Sequence, residues 1–272
     1  MNNILTISNF TIREALSRKI IVTFFAISTF VILIFAGLFA FVSFEDLIQV
    51  STANDPMMSI ASELVQGLKL FVVAPLFGGG LFLSIFSAAS FIPNMLEKGS
   101  IDLLLSKPIS RSQVILGKFL GGTIIVFVNI AYLIISIWLL IGIKFGIWEP
   151  SFLLSILTIT FTFAVLYSLI ILIGILTQSS VLAMMISYLI FFILSPILNA
   201  RDTISTFIDN TVIETILDIL YSITPKTSEL GSITTNISQG GSIDSYEPIW
   251  TSLLFTIVIL YLSISIFRKK DY

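Results

Sequence analysis

Six long stretches of the chain are almost purely apolar, and short polar segments separate them. With no water in a bilayer to bond the backbone, a crossing segment must be a continuous helix of about 20 apolar residues. The runs predict crossings at Ile20–Val42, Leu70–Ile92, Phe119–Ile143, Phe152–Leu176, Val181–Leu198 and Ile249–Phe267. The fifth is the shortest, and the tight link Thr177–Gln178–Ser179–Ser180 makes it the hairpin partner of the fourth. None of the runs shows the strict alternation that a transmembrane β-strand needs. The expected class is an all-α membrane protein with six transmembrane helices.

Polar segments fix the orientation. With both termini inside, the inner segments hold Arg13, Arg18, Lys19, Lys98, Lys107, Arg111, Lys118, Arg268, Lys269 and Lys270. The outer segments hold Lys69, Lys144, Arg201 and Lys226, which completes the 14 basic residues. Of 16 acids, only Glu14, Glu97, Asp102 and Asp271 lie inside. This positive-inside bias predicts N-in, C-in topology. No formal charge falls within the six predicted crossings, so no charged relay for proton or ion coupling is expected in the membrane. The energy source is expected outside the bilayer and outside this chain.

Composition agrees with this picture. Of 272 residues, 56% are hydrophobic and 11% charged, with mean hydropathy +1.06; soluble domains carry about 25% charged residues. A net charge of −2 gives no basic footprint for nucleic acid. Cys and His are absent, which excludes disulfides, thiol catalysis and zinc sites built on those residues. Met184 and Met185 are neighbours pointing to different helix faces, with no His or Cys to make a copper site. The apolar run after residue 19 exceeds a signal-peptide core of about 7–15 residues, so the first crossing is expected to be retained.

Outside the crossings, residues 1–19 place Leu5, Ile12 and Leu16 on one side, with Thr11 and Glu14 spaced as a capping box. They predict a short helix along the inner membrane surface, or a plain extension of the first crossing. In the outer loop 199–248, Ile204, Phe207, Ile208, Val212, Ile216, Ile219 and Leu220 follow helical spacing, interleaved with Asp202, Asp209, Glu214 and Asp218. That pattern predicts an amphipathic outer-face helix, with packing on the bundle weighed above capping of an outer exit. Thr224–Ser245 is rich in Ser, Thr and Gly and reads as flexible. The sequon Asn236-Ile237-Ser238 is read as chance.

The inner loop 97–112 is the most structured of the polar segments. Gly99 ends the preceding helix, and Ser100 with Asp102 begins a new one. Ile101, Leu104 and Leu105 share a face, and Pro108 stops the helix. Ser110 with Gln113 is spaced as a second capping box. The apolar stripe suits lipid and a groove on a partner about equally.

At these residues the chain resembles the ABC-2 type permeases, the membrane subunits of ATP-binding-cassette exporters. The resemblance is carried by Glu97, Gly99 with Ser100, Asp102, Leu104-Leu105, Pro108, Arg111 and Gly117-Lys118, and by the basic tail Phe267-Arg268-Lys269-Lys270-Asp271. Ser100 stands where the family usually has Thr, and Met95 where many members have an acid. The permeases associated with nitrous oxide reductase maturation are one group it could fall near. The resemblance implies an N-terminal elbow helix and a coupling helix at Gly99–Lys107 that docks on an ATPase. It also implies a dimer, with a second copy or a paralogue, carrying two ATPase chains that hold ATP and Mg. No cofactor is expected on this chain. A phosphate-binding loop needs Gly-x-x-x-x-Gly-Lys-Ser/Thr, whereas Gly117-Lys118 is followed by Phe119 and preceded five residues back by Ser112.

Polar side chains within the crossings are candidates for a substrate path. Asn129 is the most expensive to bury, and Tyr132 and Ser136 accompany it on the third crossing. Interhelical hydrogen bonds average about 0.6 kcal/mol, so most such groups read as packing glue. Trp148 and Trp250 read as interfacial anchors, and Gly78-Gly79-Gly80 as a place for close helix approach. Two functions remain open: an export permease in a bacterial inner membrane driven by a separate ATPase, and a non-transporting anchor or sensor that recruits a cytosolic partner.

Overall fold

The structure is a computed structural model that describes residues 2–17, 19–41, 57–96, 99, 109–207 and 211–270. The described residues form helices joined by short turns and loops, with no strand. Among the described residues, six helices are long and apolar enough to cross a membrane: Ile20–Ala40, Glu63–Met95, Arg111–Phe145, Ser151–Thr177, Ser180–Asn199 and Glu247–Lys269. In chain order, α1 is Asn2–Ser17 and α2, the first span, is Ile20–Phe41. The second span comprises α3 (Met57–Pro75), a π-helical stretch Leu76–Gly80, α4 (Leu81–Ala88) and α5 (Phe91–Met95). The third and fourth spans are α6 (Arg111–Phe145) and α7 (Ser151–Thr177). The fifth is α8 (Ser180–Tyr188), a π-helical stretch Leu189–Leu194 and α9 (Ser195–Asn199). Then come α10 (Arg201–Phe207), α11 (Thr211–Ile223), α12 (Thr227–Ser238) and the sixth span, α13 (Glu247–Lys269).

The fourth span is the axis of the bundle. It is the most enclosed span, and α6, α12, α13 and α8 all pack along it. Its hairpin with the fifth turns at Gln178, whose φ is +53°, and Ser179 caps α8 by accepting from the Leu182 N–H. The capping box at Ser110 and Gln113 forms as its spacing predicts. At 35 residues, α6 is about 52 Å long. That exceeds the roughly 30 Å hydrocarbon core, so this helix carries Arg111–Lys118 beyond the predicted start at Phe119.

Several local expectations are corrected. Helix α1 runs unbroken through Thr11, whose hydroxyl donates to the Ile7 carbonyl at 2.9 Å rather than capping a helix. Of the expected apolar face, Leu5 and Leu16 are exposed and Ile12 is half-buried against the core, while Ile7, Ser8, Thr11 and Ala15 are buried. These meet Gly117 and Gly121, where an added Cβ would lie 2.6 Å from Ile7 Cβ and 2.7 Å from Thr11 Cβ. Close approach therefore occurs at this Gly-x-x-x-Gly pair. Gly78 and Gly79 have open space where a Cβ would sit and belong to the π-helical stretch instead.

The segment expected to be flexible, Thr224–Ser245, contains α12, which buries Leu230, Ile233 and Ile237. Lys69, just before the predicted start of the second crossing, lies on the helix that carries that span, 1% exposed and ion-paired with Glu149. Lys118 is likewise buried on the third span. Both charges are paired, which is how a membrane helix tolerates them.

Candidate functional site

Polar and charged side chains converge at three places, two of which hold residues that sequence singled out. The first is the N-terminal end of α6, where α1, the end of the fourth span and the C-terminal tail converge. Lys118 Nζ lies 2.6 Å from Glu14 Oε2 and 5.7 Å from the Phe10 ring centroid. Its backbone carbonyl accepts a hydrogen bond from the fully buried Tyr167 hydroxyl at 3.2 Å. Arg111 donates to the carbonyls of Phe267 (2.7 Å), Arg268 (3.2 Å) and Lys270, and its guanidinium lies 5.6 Å from the Phe267 ring centroid.

The tail answers in kind. Arg268 donates to Ser112 Oγ at 2.7 Å, and Lys270 Nζ donates to the Ile175 carbonyl at 2.6 Å. The cations also complement the partial negative charge of helix C-termini, Arg111 at α13 and Lys270 at α7. Arg111 and Lys118, both singled out by the family pattern, are thus engaged inside the protein. They lock the terminal elements to the base of the third span. Of the other loop residues, Gly99 has φ +90°, the backbone a helix-ending glycine adopts. Glu97, Ser100, Asp102, Leu104, Leu105 and Pro108 lie outside the described residues.

The second place is the membrane interior between the first three spans. Ser28 donates to Asn129 Oδ1 at 3.2 Å, and the hydroxyls of Thr29 and Tyr132 share a hydrogen bond at 3.1 Å. The Phe25 and Tyr132 rings are 5.1 Å apart. Asn129 Nδ2 is buried with no hydrogen-bond partner among the described residues. Asn129 borders a cavity of about 390 Å³, walled by Phe24, Val31, Leu76, Leu83 and Ile130 among others. Tyr132 and Ser136 are half-buried and do not border it. The structure thus joins Asn129 and Tyr132 to the first span and leaves Ser136 further along the helix.

Sequence missed the third place, a charge cluster at the opposite end of the bundle from the termini. The Arg201 guanidinium sits 3.4 Å from the Tyr221 ring centroid and 3.3 Å from Asp218 Oδ1. Lys226 Nζ lies 4.0 Å from the same centroid and pairs with Glu247, and the Tyr221 hydroxyl donates to Glu229 at 2.5 Å. Burial alone would lower the Lys226 pKa, but the hydrogen bonds to Glu247 and Tyr221 outweigh it and raise it above the ordinary lysine value. Burial, with the Glu229 hydrogen bond, also raises Tyr221. The signal was available as five charged residues and a Tyr on either side of a Pro-Lys turn, but the partners lie on different helices.

Among the described residues no group of His, Cys, Asp or Glu is placed to hold a metal ion. The fold and these clusters define a multi-pass α-helical membrane protein whose ionic side chains tie its helices together. The sequence model described as ABC-2 family transporter protein matches residues 15–272. The chain belongs to that family, and so is a transmembrane permease of an ABC transporter, a membership that implies association with an ABC ATPase. No curated protein gives a significant match to the chain.

Proposed function

We propose that this chain is the membrane subunit of an exporter in a bacterial inner membrane, with N-in, C-in topology, driven by ATP hydrolysis on two copies of a separate ATPase. The observation that carries this reading is the family match over residues 15–272 in a chain with no phosphate-binding loop of its own. Gly99–Lys107, within the loop 97–112, acts as the coupling element. Leu104 and Leu105 enter a cleft on the ATPase, and Glu97, Ser100 and Asp102 set the angle of the helix.

The cluster at the base of the third span supports this role. A push on the loop reaches α6 at Ser110, and Arg111 and Lys118 pass it to the C-terminal tail and to α1. Ion pairs and close glycine contacts make that junction rigid, so the spans respond as bodies rather than bending locally. Two permease copies, or one copy and a paralogue, complete the assembly. Cargo crosses a path without formal charge, which favours amphiphiles over small ions, and Asn129, Tyr132 and Ser136 are its candidate contacts.

The chain has no Cys, so Leu105→Cys offers a single site for cross-linking in the assembled complex. The expected result is a cross-link to the ATPase that strengthens with ATP, and loss of permease-stimulated ATP hydrolysis in Leu105→Asp. Modification of Leu105→Cys from outside sealed cells by an impermeant thiol reagent overturns the topology. Unchanged ATP hydrolysis in Leu105→Asp leaves the anchor or sensor reading instead.

A further inference from the structure

Helix α11 is amphipathic, yet it is oriented the wrong way round for a helix in water. Its half-buried residues are Leu217 and Tyr221, and the polar contacts to the protein come from Tyr221 and Asp218. At 100° per residue, Val212, Ile216, Ile219 and Ile223 fall on the side away from Tyr221. All four are exposed, at 66%, 52%, 53% and 65%. Thr211, Thr215 and Ser222 form a narrower polar strip between the two sides. A helix packed on a soluble surface buries its apolar stripe and shows its polar one. This helix does the reverse, with no residue buried along its length.

The cluster around Tyr221 fixes where α11 sits. Arg201 follows directly on the fifth span, and Lys226 pairs with Glu247 at the start of the sixth. Helix α11 therefore lies level with the ends of two spans, at the depth where Tyr246 and Trp250 are also exposed. It rests on α9, whose Ile197 is exposed, with Ile193 about one turn further into the span. Exposed apolar side chains thus stand both on the fifth span, at Ile193 and Ile197, and on the helix that rests on its end.

We propose that α11 lies in the headgroup boundary of the leaflet opposite the termini. Its Val212–Ile216–Ile219–Ile223 stripe dips into the acyl region, its Thr211–Thr215–Ser222 strip faces water, and its Tyr221 edge is pinned to the protein. Such helices bury their apolar face about 5–10 Å below the headgroups. Glu214 and Asp218 leave α11 without positive charge, so its occupant is the uncharged boundary of the bilayer, and anionic lipid is not required. The seat restrains both neighbouring spans through Arg201 and Lys226.

The test uses the absence of native Cys. Single variants Ile216→Cys, Ile219→Cys, Ile223→Cys, Thr215→Cys and Leu217→Cys are spin-labelled in the full chain and reconstituted in palmitoyl-oleoyl phosphatidylcholine vesicles. The expected pattern is high oxygen and low nickel-chelate accessibility at 216, 219 and 223. Position 215 should show the converse, and position 217 little access to either. Nickel-chelate accessibility at 216, 219 and 223 equal to that at 215 overturns the proposal, since the stripe then faces water. Spin–spin broadening at 216 or 219 with low oxygen accessibility also overturns it, because a second copy then covers the stripe. All labelled positions but 217 are exposed, so the variants test environment rather than folding.

Discussion

The pair between Glu14 and Lys118 offers the sharpest test of the junction at the base of the third span. The Lys118 side chain is 2% exposed and that of Glu14 15%, with 2.6 Å between the charged atoms. At that distance and an effective dielectric of about 20, the Coulomb attraction is about 6 kcal/mol. Desolvation of the two groups offsets much of it. Glu14→Gln leaves the buried ammonium without its counter-charge and should cost about 3–5 kcal/mol. Lys118→Met leaves the better solvated carboxylate behind and should cost less. The double variant removes both charges and should return to within about 2 kcal/mol of the parent, a coupling of about 2–3 kcal/mol. Unfolding by sodium dodecyl sulfate in mixed micelles measures the energies, and limited proteolysis at α1 locates the loosening. Additive losses below about 1 kcal/mol for each single variant would show that the pair is solvated and does not hold α1 in place.

Three further outcomes follow from the same geometry. Gly122→Ala sets a Cβ 2.5 Å from Tyr167 Cε1, on a ring with no exposed surface; it should cost about 2–3 kcal/mol, partly relieved by Tyr167→Leu in the same unfolding assay. Arg111→Gln removes the donor shared by the Phe267, Arg268 and Lys270 carbonyls and should speed proteolytic trimming of the tail, read by intact mass, with the spans preserved. Because the folded-state pKa of Lys226 is raised, its stabilisation is fully present below about pH 10.4, the ordinary lysine value. It is lost as pH climbs through the raised value. A parent that weakens above pH 10 and a Lys226→Met variant with a flatter alkaline limb are expected; equal slopes refute the assignment.

The spans were legible because each is a local matter of twenty consecutive apolar side chains and an internally satisfied backbone. Ser110 with Gln113 was legible because a capping box spans four residues. The burial of Lys69 was not legible, because its counter-ion, Glu149, comes from the loop between the third and fourth spans. The Ser/Thr/Gly content of residues 224–245 masked α12, although Leu230, Ile233 and Ile237 already stood at helical spacing. At the candidate site, sequence picked Arg111 and Lys118 but not their partners, since α1 and the tail lie about a hundred or more residues away along the chain.

The amino-acid order alone determined that this is a six-span helical membrane protein with its charges at the span ends, since burial in lipid is decided residue by residue. Tertiary structure decided which faces meet. Gly117 and Gly121 receive α1 because their missing Cβ atoms leave room for Ile7 and Thr11. Helix α11 turns its apolar stripe outward because Arg201 and Lys226 hold Tyr221 and its neighbours inward. Contacts between residues distant in the chain carry no periodic signature, so they exist only once the helices have assembled.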